Sequence, residues 1–119
     1  MWPSESETSE IQPHELASIL ADAGAAKGRN FALIDCREPD EFEVCRIEGA
    51  QLIPLSNFVF EAVQKLPEKS LPIVVYCHHG MRSAQATTFL RKKGYARTFS
   101  MAGGIETWSV EIDPEIPRY

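Results

Sequence analysis

At 119 residues, 44% of them hydrophobic, the chain has material for one hydrophobic core and no second domain. Its net charge of -5 argues against nucleic acid or an anionic membrane as a general partner, so any anion must be held by a local site. No apolar run approaches a membrane span, the start MWPSESETSE lacks the basic flank and apolar stretch of a secretory signal, and three cysteines is an odd number; a cytoplasmic protein with reduced thiols is expected.

Residues 1–10 are polar, acidic and rich in Ser and Thr, which predicts a mobile tail ahead of a single domain over residues 11–119. Pro13, Glu15, Leu16, Ile19 and Leu20 set a first-turn proline before an apolar stripe at helical spacing, closing near Gly24 or Gly28. The stretch FALID, residues 31–35, reads as a short buried strand, residues 38–42 as a helical turn and residues 51–54 as a second strand. Phe58, Ala62, Val63 and Leu66 mark a helix that stops before Pro67. Residues 72–76 form the best strand pattern in the chain. A helix over residues 83–93 follows, and its basic end RKKG suits the C-terminal dipole. Residues 97–100 make a last strand, and Gly103, Gly104 and Ile105 lead into a final helical turn carrying Trp108. Short apolar strands alternating with amphipathic helices predict an α/β domain whose mainly parallel sheet is covered on both faces. In such sheets ligands gather where strands end and helices begin.

The stretch VVYCHHGMRS places Cys77 at that kind of strand end, with residues 78–82 turning the chain into the next helix. A loop wrapped around one cysteine can aim several backbone N–H groups at the sulfur, and the helix adds the positive end of its dipole. A free thiol near pKa 8.5 can fall to about 3.5 to 7.5 in such surroundings. Gly80 suits a tight loop because it accepts positive φ. Arg82 offers a fork of donors matched to the oxygens of an anionic sulfur donor. The functional reading is a nucleophilic Cys77 in an anion cradle, with Gly80 and Arg82 beside it. His78 and His79 either tune the thiolate or are simply polar loop residues, and His14 belongs to a surface helix. Cys36 and Cys45 are read as packing residues rather than resolving thiols.

The blocks LIDCREPDEF, IEGAQLIPL, CHHGMRS and MAGGIETW occur in order, and together they resemble the rhodanese domain of single-domain sulfurtransferases, from about Ile11 onward. The resemblance implies a three-layer α/β/α fold with a five-stranded, mainly parallel sheet. It also implies a cycle in which Cys77 takes a sulfane sulfur from a small anionic donor such as thiosulfate and passes it to a thiol, cyanide or a sulfur-carrier protein, with no cofactor and no metal. By the same resemblance His78, His79, Gly80, Met81 and Arg82 form the binding loop, and Asp35 and Arg37 match the family's acidic and basic pair near the site. The chain departs from the family at CRIEGA, where Cys45, Arg46 and Glu48 replace a glycine, a histidine and a proline, and at Cys36, where an aliphatic residue is usual. Its ending, WSVEIDPEIPRY, resembles tails of rhodanese domains that stand alone or are fused to adenylylating enzymes.

Three other readings are weaker. Phosphatases of similar architecture place five residues between the loop cysteine and arginine, whereas four separate Cys77 from Arg82, a ring that suits one sulfur atom better than a tetrahedral phosphate. A zinc site from Cys36, Cys45, Cys77, His78 and His79 lacks the close ligand pairs of a structural site. A binding module without activity would be expected to lack the loop cysteine, and this chain keeps it.

Overall fold

The computed structural model describes residues 2–23 and 30–119. Gly24 and Gly28, where the first helix was expected to close, lie outside the described residues.

A strand that is apolar on both faces is satisfied only between two strands and under two layers of helix. The segment Ile73–Tyr76 (IVVY) has that character, and every residue of it is buried. It forms the centre of a five-stranded parallel sheet. In chain order the elements are β1 (Glu10–Ile11), α1 (Pro13–Ala23), β2 (Ala32–Asp35), α2 (Pro39–Val44), β3 (Gln51–Leu52), a 3-10 turn (Leu55–Asn57), α3 (Phe58–Lys65), β4 (Ile73–Tyr76), α4 (Met81–Lys92), β5 (Thr98–Met101) and α5 (Gly104–Glu111). The strand order is β1-β5-β4-β2-β3, so β4 pairs with β5 on one side and β2 on the other. Register sets Ile34 beside Val75 and Asp35 beside Tyr76.

Period-2 alternation divides the side chains of the sheet between two cores. Leu33, Val74 and Tyr76 pack with Leu16 and Ile19 of α1 and with Ile105 and Trp108 of α5. Ile34, Cys36, Val75 and Cys77 pack with Phe58 and Ala62 of α3 and with Ala86 and Leu90 of α4. The expected three layers are therefore present, and Cys36 and Cys77 share one of the two faces. Among the described residues no helix is long and apolar enough to cross a membrane.

Two features differ from the reading of the sequence. Much of the segment expected as a mobile tail lies against the sheet. Trp2 packs on Phe31 and Phe99 at 5.4 and 6.1 Å between ring centroids. The guanidinium of Arg91 donates to the carbonyls of Glu5 and Thr8 at 3.0 and 2.9 Å. Glu10–Ile11 then pairs with β5. A single large aromatic and the open edge of β5 supply these anchors, and neither registers in an average over a polar decapeptide. The second difference is at α4, which starts at Met81 rather than residue 83. Gly80, with φ of 110°, turns the chain abruptly enough for Met81 and Arg82 to join the first helical turn.

Candidate active site

Cys77 directly follows β4, and the chain curls back over its sulfur before entering α4. The Gly80 N–H lies 3.1 Å from Sγ and the Ser83 N–H 3.3 Å. Ser83 Oγ is 3.5 Å away, and it also meets Ser100 Oγ at 2.7 Å. If Ser100 donates into Ser83, the Ser83 proton is shared between the sulfur and the Gly80 carbonyl, 3.2 Å away. The loop is braced from behind by α5, whose first amides, Ile105 and Glu106, donate to the carbonyls of Cys77 and His78 at 2.8 and 3.1 Å. With those carbonyls held by α5, the amides that follow are turned toward the sulfur. Gly104 makes the approach feasible, since a Cβ there would sit 2.3 Å from the His78 carbonyl oxygen.

These groups set the charge on the sulfur. The Cys77 thiol is pulled down to about 4, first by a hydrogen bond from the Cys36 thiol, against the cost of burial, and then by the Ser83 hydroxyl and the Ser83 and Gly80 amides. Cys36 shifts the other way, because it gives its proton to that bond, is buried and faces the negative sulfur. The resting pair is a Cys77 thiolate and a Cys36 thiol. Above the thiolate opens a bowl of about 290 Å³ lined by Cys77, His78, His79, Met81 and Arg82. Five of the six residues expected from the loop thus face it, and Gly80 serves through its amide.

The rim is arranged by residues that the sequence did not point to. The Arg82 fork is engaged by Glu41 of α2, Nη1 to Oε1 at 2.6 Å and Nη2 to Oε2 at 2.9 Å. Arg82 holds the Glu41 carboxylate down at about 2, helped by the Glu38 amide and Tyr119. Arg82 lines the bowl, and one N–H on each terminal nitrogen of its fork is engaged by Glu41. Tyr119 donates from its hydroxyl to Glu41 at 2.9 Å and stacks on His78, with centroids 4.0 Å apart and planes 9° from parallel. His79 stacks on His78 at 3.9 Å. His78 stays neutral near pH 7, because burial and the neighbouring His79 both lower its pKa.

Asp35 and Arg37 do not reach the bowl. Both are fully buried and bonded to each other, with Arg37 Nη2 at 2.7 Å from Asp35 Oδ2. Arg37 also donates to the Cys45 carbonyl at 2.5 Å and to the Tyr119 hydroxyl at 2.7 Å. Their work is to pin the chain on either side of Cys36. Because alternation puts Asp35 and Arg37 on one side, it turns Cys36 to the other, toward Cys77. Cys45 lies in the opposite core, its thiol 3.4 Å from the Pro117 carbonyl, in keeping with a packing role.

The fold is thus a parallel α/β sheet with a cysteine held in an amide loop at the strand ends. The rhodanese-like domain profile matches residues 12–111, and the chain belongs to that family. It is 38% identical over 93% of its length to the "Probable adenylyltransferase/sulfurtransferase MoeZ" of Mycobacterium tuberculosis, of which it spans 27%. Among solved structures it resembles a rhodanese-related protein from Thermoplasma volcanium, with 28% identity, a TM-score of 0.73, and coverage of 92% of this chain and 98% of that one. The human single-domain sulfurtransferase TSTD1 is similar at 27% identity and a TM-score of 0.73, over 87% of this chain and 97% of that one.

Proposed function

We propose that the protein is a sulfurtransferase that carries a sulfane sulfur on Cys77 as a persulfide. The observation that carries this reading is the Cys77 thiolate held by the Gly80 and Ser83 amides at the floor of an open bowl. The thiolate attacks the outer sulfur of a thiosulfate-like donor, the S–S bond of the donor breaks, and sulfite leaves with the electron pair. The amides that stabilised the thiolate then face the charge on the new terminal sulfur. A thiophilic acceptor, such as a thiol or cyanide, attacks that sulfur and regenerates the thiolate. Toward the activated C-terminal carboxyl of a sulfur-carrier protein the outer sulfur is instead the nucleophile, and the activating group leaves. A thiol then cleaves the resulting acyl persulfide to the thiocarboxylate and a mixed disulfide on Cys77, which a second thiol reduces. The similarity to MoeZ, named as an adenylyltransferase and sulfurtransferase, supports the sulfur-carrier acceptor among these. Four residues between Cys77 and Arg82 favour sulfur over phosphate in the ring.

The test is to expose the reduced protein to thiosulfate without acceptor and to map the adduct. One added sulfur on Cys77, discharged as thiocyanate by cyanide, is the expected result. Hydrolysis of aryl phosphates without any persulfide would overturn the reading.

A further inference from the structure

Cys36 is the buried nucleophilic group that the transfer cycle above does not consume. Its position follows from the backbone. Asp35 is in register with Tyr76, and the Cys36 N–H donates to the Tyr76 carbonyl at 3.0 Å, so Cys36 and Cys77 are the next neighbours along β2 and β4. Adjacent strands lie about 4.8 Å apart. That spacing falls inside the window of about 4.4 to 6.8 Å between Cα atoms that a disulfide spans. Both side chains occupy the same core, and each sulfur shifts the acidity of the other, as close neighbours do. Cys36 is fully buried beneath the bowl, which leaves the outer sulfur of a loaded Cys77 on the open side and Cys36 behind it.

We infer that Cys36 is a resolving thiol that discharges the Cys77 persulfide internally, releasing hydrosulfide and leaving a Cys36–Cys77 disulfide. This rests on the persulfide reading. The Cys36 sulfur attacks Cys77 Sγ, the bond from Sγ to the outer sulfur breaks, and the outer sulfur departs with the electron pair. The Cys36 proton moves to it, so the product is HS⁻. The outer sulfur is reduced and the two cysteine sulfurs are oxidised, so no external oxidant is needed. A dithiol reductant then resets the pair.

The same contact explains why resolution waits for loading. While Cys77 is a thiolate, its charge and its hydrogen bond hold the proton on Cys36. In the persulfide the charge sits on the outer sulfur, one bond further away, and that hold weakens. The pair then has two exits for one sulfur: transfer when an acceptor occupies the bowl, and hydrosulfide release when none arrives.

The experiment loads the protein with thiosulfate, removes the donor anaerobically, and follows the persulfide, free hydrosulfide and the disulfide-linked peptides. The wild type should release one hydrosulfide per chain and yield a Cys36–Cys77 cross-link, and the Cys45→Ser variant should do the same. In Cys36→Ser the loaded persulfide should last at least about tenfold longer, since misplacing or deleting an intramolecular reactant forfeits its effective molarity. A persulfide that forms but decays equally in wild type and Cys36→Ser, or a cross-link through Cys45, overturns the inference and leaves the sulfur-carrier reading intact. Failure of any persulfide to form removes both. A second arm does not depend on folding of the Cys36 variant. Cys45→Ser protein treated with an aryl disulfide should release two arylthiolates per chain, the second at a rate independent of protein concentration. Release of only one would equally overturn the inference.

Discussion

Cys36 and Cys77 stand at the ends of neighbouring parallel strands and face the same core, yet their acidities move apart, the Cys36 pKa upward and that of Cys77 down to about 4. Burial does not separate them, since both are almost wholly buried. The difference lies in what the backbone does next. After Cys36 the chain runs on to Arg37, which is locked to Asp35 on the opposite side, and the Cys36 carbonyl is taken by the Leu55 amide. After Cys77 the chain curls, and the Gly80 and Ser83 amides converge on the sulfur. The Ser83 hydroxyl and the loop amides, which only Cys77 has, therefore settle which member of the pair is the more acidic, and the thiol of the other member adds to their effect.

The most severe way to break this contrast is to remove the sulfur that carries it. Cys77→Ser should abolish transfer, by at least on the order of 10³-fold in kcat/KM, because serine is a poor nucleophile at neutral pH and cannot form a persulfide. Circular dichroism should report an unchanged fold. Retained turnover would move the carrier role to another cysteine.

The next strike is at the bond between the two thiols. A hydrogen bond to a charged group contributes about 1.5 to 3 kcal/mol, or roughly one to two pKa units. Alkylation of Cys77 followed against pH should show an inflection near 4 in the wild type. The reactive thiolate forms as pH rises through that value and is lost as pH falls below it. In Cys36→Val the inflection should move upward by about one to two units, so that at pH 4 alkylation slows by roughly five- to fiftyfold while rates at pH 8 agree. Cys36→Ser, which keeps a donor, should lie between. An unmoved profile would show that the loop amides alone set the charge.

Ser83→Ala deletes the hydroxyl but keeps the amide, and about a tenfold loss in kcat/KM is expected from one of several donors. Stopped-flow measurement of persulfide formation separates this from an effect on acceptor attack. The smallest change is at the rim. Glu41→Gln should loosen the Arg82 fork and lower KM for thiosulfate by about threefold without changing kcat, whereas Arg82→Ala should raise it. Rising salt should shrink both effects. If Glu41→Gln raises KM instead, the ion pair positions the loop rather than competing with the donor.

The sequence announced β2 and β4 because they are apolar on both faces, missed β1 because it is two residues beside a polar segment, and announced the loop because Cys, Gly and Arg crowd a strand-to-helix turn. It could not announce Cys36. That residue becomes the neighbour of Cys77 only through the strand order, in which β2 sits beside β4 although β3 intervenes along the chain. Glu41 and Ser100 were hidden for the same reason, being contributed by α2 and β5 to a loop that precedes α4. Glu41 did carry a local sign, as the third residue of a capping box with Glu38 that explains why it is rigidly placed. Tyr119 had no such sign: a tyrosine in a polar tail gives no hint that it will stack on His78. Arg82 was legible from its type as a charged fork, but its contact with Glu41 of α2 was not.

The central position of β4 has one more consequence. Ile73, Val74 and Val75 are paired on both sides, with β2 and with β5, so their amides have no route to solvent short of separating the sheet. Deuterium should enter these positions only through opening of the whole domain, and they should be among the slowest to label. The reactive cysteine is attached to the end of that segment. Heating should therefore leave the rate constant of sulfur uptake on a smooth curve up to the temperature at which the last amides exchange, and then extinguish both together.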